Sequence, residues 1–265
     1  MKVAKLLGAV GALVLLACTP VRADEPAQSW SGLYIGAHVG YGWGDSDGSL
    51  TFYDPEKVNQ KITDHFPDGT HKRTLSPDGW LGGGQLGMNF QRDSFVYGIE
   101  LDLSKAGIED SGINTSTQFG DWGSVSKHIT TEIEWLGTVR GRLGFTTGQM
   151  LIYGTGGFAW AKTSARQDVF HNKGEDTNLH ASGSDKETLA GWTIGGGLEV
   201  ALSSRLTLKG EYLYIDLGDV SYNFKGTHTG NPDAENAGKP HTTDGYDADV
   251  TLHTFRIGVN YRFGG

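Results

Sequence analysis

Ten ionisable residues fall on the polar side of short alternating segments: Glu100, Asp102, Glu134, Glu199 and Glu211, with Arg140, Arg142, Lys209, Arg256 and Arg262. Brought together, such groups offer acid–base chemistry, which needs carboxyls in unlike environments, or a nucleophile with a base in hydrogen-bond reach. No serine, histidine and acid lie at spacings that support a triad, so no catalytic residue is expected. The structural reading is an ion-pair plug. Five acids match five bases, the balance expected of enclosed charges, because a lone buried charge is strongly destabilising and a paired one is tolerated.

Other residue sets offer chemistry less directly. His65, His71, His128, His171, His180, His228 and His241 sit in polar stretches, and histidine is a haem and metal ligand. Haem capture through these residues is therefore an alternative, although none has a close H-x-x-x-H partner. Asp45, Asp47, Ser49 and Glu56 match places of a calcium loop, but Leu50 stands where the sharp turn needs glycine. No metal site and no cofactor are expected. Gly82 to Gly87 and Gly154 to Ala159 satisfy dinucleotide-binding patterns, yet both lie inside strand-like runs and open no helix.

The elements that must position these groups are strands. Residues alternate between an apolar and a polar face along Trp30 to Trp43, Leu81 to Gln91, Phe95 to Ser104, Glu132 to Phe145, Leu189 to Leu202, Leu206 to Ile215 and Thr251 to Phe263. An eighth run, Leu151 to Ala161, is a strand by composition, with faces too alike to assign. Connections alternate between short turns (Arg92 to Ser94, Thr146 to Gln149, Ser203 to Arg205) and long polar segments near 45–79, 105–131, 163–186 and 217–249, read as external loops. That alternation predicts an all-β fold: a transmembrane, eight-stranded, antiparallel up-and-down β-barrel, closed, with its interior filled by polar side chains.

A soluble eight-stranded carrier would show the same periodicity with its apolar face inward. Two features favour the outward orientation. An arginine or lysine on a lipid face near the bilayer midplane costs about 2–4 kcal/mol, so the charged face must line the interior. Trp43, Trp80, Trp135, Trp160 and Trp192 all fall at the long-segment ends of strands, while Phe90, Phe95, Phe145, Phe263 and Trp30 fall at the other ends. Those are the two girdles that amphipathic rings form at headgroup level.

Composition agrees. Of 265 residues, 41 are glycine and 11% aromatic, and mean hydropathy is −0.35. The N-terminus reads as a cleaved export signal over residues 1–23, with Lys2 and Lys5 before an apolar stretch and Val21-Arg22-Ala23 before the cut, leaving residues 24–265 as one barrel domain. Leu15-Leu16-Ala17-Cys18 offers a competing site at which Cys18 would be lipidated. Losing Lys2, Lys5 and Arg22 takes the net charge from −9 to −12, which argues against nucleic acid as a partner.

The stretches Trp30 to Trp43 (WSGLYIGAHVGYGW), Gly83 to Gln91 (GGQLGMNFQ), Trp135 to Phe145 (WLGTVRGRLGF), Gly191 to Glu199 (GWTIGGGLE) and the closing Tyr261-Arg262-Phe263 resemble the outer-membrane immunogenic protein family, small OmpA-like surface antigens of Gram-negative bacteria. The resemblance implies an outer-membrane location and a non-enzymatic role in envelope integrity, surface antigenicity or host contact. A narrow porin-like channel is the alternative. The implied partners are outer-membrane lipid and lipopolysaccharide, host or envelope ligands met by the loops, and the barrel-assembly machinery, which reads the C-terminal aromatics Tyr261 and Phe263. Gly264 and Gly265 after Phe263 depart from that assembly signal.

Overall fold

The computed structural model describes residues 29–51, 70–118, 124–173, 176–228 and 240–263. The expected export segment, Cys18, Glu56, His65, Gly264 and Gly265 lie outside them. Alternation of β-branched and aromatic residues with glycine and polar residues yields strands throughout. They are β1 (Gly32–Thr51), β2 (Thr70–Leu75), β3 (Asp78–Arg92), β4 (Phe95–Gln118), β5 (Ser124–Thr146), β6 (Met150–Lys173), β7 (Asp176–Ala201), β8 (Leu206–His228) and β9 (Pro240–Arg262).

All pairings are antiparallel, and β1 also pairs with β9, from Tyr34↔Arg262 to Thr51↔Gly245, which closes the sheet. β2 and β3 both pair with β1 and form one stave interrupted at Ser76-Pro77, so nine segments make eight staves. Proline cannot donate to a ladder, but the Pro77 carbonyl still accepts from Gly44 N at 2.9 Å. The three short turns fall where the sequence puts them, and Asp93, between β3 and β4, takes the left-handed conformation (φ 55°).

The long segments differ from expectation. Strands continue into all four, and β4 to β9 each hold 23 to 26 residues, whereas a tilted strand crosses a bilayer in about 9–11. The barrel wall therefore carries on beyond the membrane, and its polarity inverts where it leaves. Along β4 the outward residues are Phe95, Tyr97, Ile99, Leu101 and Leu103, then Lys105 and Glu109; the inward ones are Glu100, Asp102 and Ser104, then Ala106 and Ile108. Along β6, outward Ile152, Phe158 and Trp160 give way to Lys162 and Arg166, while inward Tyr153 and Thr155 give way to Ala159, Ala161 and Ala165.

The solvent explains the inversion. Inside the bilayer the surroundings are apolar and the wall turns its apolar side out; beyond it the surroundings are water, and burial of apolar surface turns that side in. Ile108, Leu136, Leu213, Ile215, Leu217 and Leu252 lead the buried apolar core of this extension. Several register shifts accompany the transition: in the β4–β5 pairing between Lys105 and Ile108, in β5–β6 between Ile133 and Trp135, and in β8–β9 between Asp216 and Asp219.

Candidate functional site: the charged interior

Within the membrane-level half of the barrel, alternate positions of every stave point inward, and the charged ones converge. Arg140 (β5) is the hub: its guanidinium lies 2.5 Å from Glu100 and 3.0 Å from Asp102 on β4, and 3.1 Å from Glu211 on β8. Lys209 Nζ donates to both Glu100 oxygens, at 2.8 and 3.0 Å, and lies 3.5 Å from Glu211. Arg256 (β9) donates to Asp102 at 2.7 Å, and Arg142 pairs with Glu199 (β7). Four cations thus meet four carboxylates, and all eight side chains are buried.

Neutral groups complete the shell. Tyr34 donates to Glu100 at 2.7 Å, Tyr153 to Glu211 at 2.9 Å and Asn260 to Glu199 at 2.8 Å. The Arg142 guanidinium also lies 3.6 Å over the Tyr153 ring. Tyr34 and Asn260 stand on polar faces legible in the sequence, whereas Tyr153 belongs to the run whose faces could not be assigned. Glycine makes the room: a Cβ on Gly87 would strike the Tyr34 ring, and one on Gly83 the Leu103 carbonyl.

Two of the ten expected plug residues stand apart. Glu134 faces outward, in ion pair with Lys186 at 3.0 Å, because the bulge at Ile133/Trp135 turns Ile133 inward and Glu134 out. The hydrogen bond from Lys186 holds its carboxyl below the usual range. Arg262 is buried but sits at the short-turn mouth, donating to the carbonyls of Ser29 and Ser204, the latter at 2.6 Å. It lies 5.2 Å from the Trp30 ring. Trp30 is therefore not part of a lipid-facing girdle: it is buried, donates Nε1 to Gly148 O at 3.1 Å, and packs with Val96, Leu151 and Tyr153 across the mouth.

The remaining girdle residues face out. Trp80, Trp135 and Trp192 are exposed at one level, Trp43 stacks on His253 at 5.8 Å, and Trp160 covers Gly137. Phe90, Phe95, Phe145, Tyr261 and Phe263 are exposed at the other.

One constellation was not legible in the sequence. His38 (β1) places Nε2 2.7 Å from Ser104 Oγ and Nδ1 2.6 Å from Gln85 Oε1. This is a serine–histidine pair with a neutral orienting amide. All three side chains are almost fully buried, and Gln85 is tied on to Asn260 at 2.7 Å, so the chain of bonds links β1, β3, β4 and β9. The histidines expected in loops are instead distributed: His71, His128, His171, His180, His228 and His241 lie on six different strands. Among the described residues no group of three metal-ligating side chains gathers. Inside the extension, a cavity of about 30 Å³ touches Ser46, Ile108, Thr163, Val220, Tyr222 and Val250, enough for about one water.

A family model described as the outer membrane protein beta-barrel domain matches residues 9–263. The chain belongs to that family. This outer-membrane barrel is 34% identical over 251 residues to the 31 kDa outer-membrane immunogenic protein of Brucella melitensis, covering 92% of this chain and 88% of the relative. It is 27% identical over 239 residues to the 25 kDa outer-membrane immunogenic protein of the same organism, covering 90% and 81%. Among solved structures, OprG of Pseudomonas aeruginosa superposes with a TM-score of 0.51 at 15% identity, covering 91% of this chain and 100% of that one, a likeness of fold. The outward apolar band between two aromatic levels is thus the wall that meets the outer-membrane lipid.

Proposed function

We propose that this outer-membrane barrel is a non-catalytic envelope protein: a wall filled by its own side chains that contributes to envelope integrity and presents a strand-built extension as a surface antigen or host-contact element. The supporting observation is the neutral four-by-four ion network spanning the bore. Each acid of the network has a base beside it inside the bore: Glu100 with Arg140 and Lys209, Asp102 with Arg256, Glu199 with Arg142 and Glu211 with Arg140. The extension, about ten residues per strand beyond the tryptophan level, would stand roughly 25 Å outside the bilayer at the usual rise and tilt. The antigenic part of the reading rests on the names of the Brucella relatives. Deletion tests the envelope role: a strain lacking the gene should become sensitive to detergent and chelator, and a copy whose extension is shortened by matched removals above the tryptophans should still restore resistance. Unchanged sensitivity on deletion would overturn that role.

A further inference from the structure

Most polar groups of the bore engage one another. The Arg140 guanidinium reaches Glu100, Asp102, Glu211 and Thr138, and that of Arg142 reaches Glu199 and Tyr34. Arg256 differs. Its Nη1 donates to Asp102 at 2.7 Å, but Nε and Nη2 have no acceptor among the described residues, although the side chain is fully buried. These two nitrogens form the side edge of the guanidinium, whose parallel N–H groups grip an acceptor as a fork. Two positions away on the same inward face of β9, the Thr254 hydroxyl is also fully buried and has no partner among the described residues.

The staves beside Arg256 offer no uncommitted acceptor. β1 sets Gly40 opposite Arg256 and Gly42 opposite Thr254, so that stave has no side chain to contribute there. β8 sets Leu213 opposite Thr254 and Glu211 opposite Arg256. Glu211 is engaged by Tyr153 at 2.9 Å, Arg140 at 3.1 Å and Lys209 at 3.5 Å, and Asp102 by Arg140 and Thr138 besides Arg256 Nη1. The next inward residue of β9 is Leu252, part of the apolar core of the extension.

Charge identifies what suits the fork. Besides the His38 imidazole, the buried ionisable groups described are five cations, Arg140, Arg142, Lys209, Arg256 and Arg262, and four carboxylates, Glu100, Asp102, Glu199 and Glu211. With Glu134 outside, the bore encloses one cation in excess. An uncompensated buried charge is strongly destabilising, and so is a buried donor without an acceptor. We propose that the bore binds one small monovalent anion of the halide class, held by Nε and Nη2 of Arg256 beside the Thr254 hydroxyl. A halide accepts from all these donors and balances the charge, whereas a water molecule would bring two further hydrogens and no charge. Close packing favours a single atom over an oxyanion: even a Cβ on Gly40 would lie 2.5 Å from the Phe255 carbonyl and 3.0 Å from Arg256 Cγ.

Refolding lets the ion enter. The purified barrel is refolded from urea into micelles with bromide progressively replacing gluconate, which is too large for the packed bore, at constant ionic strength. The urea midpoint should rise with bromide and saturate. Crystals grown in bromide should carry an anomalous peak within hydrogen-bond distance of Arg256 Nε and Nη2. Arg256→Lys keeps a cation for Asp102 but removes the side edge, and should abolish the bromide-dependent rise; Thr254→Val should weaken it, and Arg166→Lys on the outer face should leave it intact. A midpoint indifferent to bromide, with water at the fork, would overturn the site. Anomalous peaks on exposed lysines alone, an adventitious ion only, would overturn it equally. If Arg256→Lys fails to assemble, the presence or absence of the wild-type peak at the fork decides.

Discussion

Glu134 and Arg140 lie on one strand at an even separation, yet they face opposite sides of the barrel wall: Arg140 is at the centre of the buried network and Glu134 pairs with Lys186 outside. A single bulge at Ile133/Trp135 separates them. An extra residue flips the face of everything beyond it. Here the flip lies near the level at which the wall leaves the bilayer.

Glu134 and the Arg140 partner Glu211 should respond differently to neutralisation. Glu211→Gln leaves Arg140 and Lys209 short of a buried partner and should cost about 3–5 kcal/mol, read as a lower urea midpoint in micelles. Glu134→Gln should leave the midpoint unchanged, because an exposed pair is screened. Equal shifts would mean that Glu134 belongs to the interior after all.

Acid should act on Glu134 with a defined sign. Its carboxyl is held below 4.5 by Lys186, so the pair's contribution is complete above pH 4.5, declines as pH falls below it and is gone beneath the lowered value. Protection at residues 128–135, taken as exchange relative to the intrinsic rate at each pH, should therefore fall in acid for the wild type and stay level in Glu134→Gln. Identical acid profiles would remove this assignment.

Polarity inversion makes neighbouring positions on β4 unequal. Ile108 is fully buried in the extension's apolar core and Glu109 faces water. Ile108→Asp should render the segment beyond Lys105 susceptible to added protease, while Glu109→Leu should leave it resistant. If both variants behaved like the wild type, the extension would not have a packed core.

Glycines should divide by face. Gly83→Ala drives a Cβ into the Leu103 carbonyl and should block the heat-modifiable folded form on gels, whereas Gly141→Ala should fold normally. Assembly of both would show that inward clearance is not what glycine supplies.

The membrane-level half of the fold was legible because lipid enforces a strong contrast: Leu101 against Asp102, or Leu198 against Glu199, cannot be misread. Beyond the tryptophans the inward residues include some as modest as Ala106, Ala161 and Ala165, and the outward ones are polar, such as Glu109, Lys162, Asp219 and Ser221, so a true two-residue period resembles loop composition. The plug was legible as charge balance, and eight of its ten residues meet. The sequence has no mark for the bulge that expels Glu134, and only contact across staves reveals that Trp30 and Arg262 close the mouth or that His38 reaches Ser104.

Planar-bilayer recording tests the closed interior most directly. Purified wild-type barrel should give no stable, reproducible conductance, while Arg140→Ala with Glu100→Ala, which empties the centre of the network without leaving one partner alone, should open measurable channels. Steady conductance from the wild type would contradict an interior sealed by its own ion pairs.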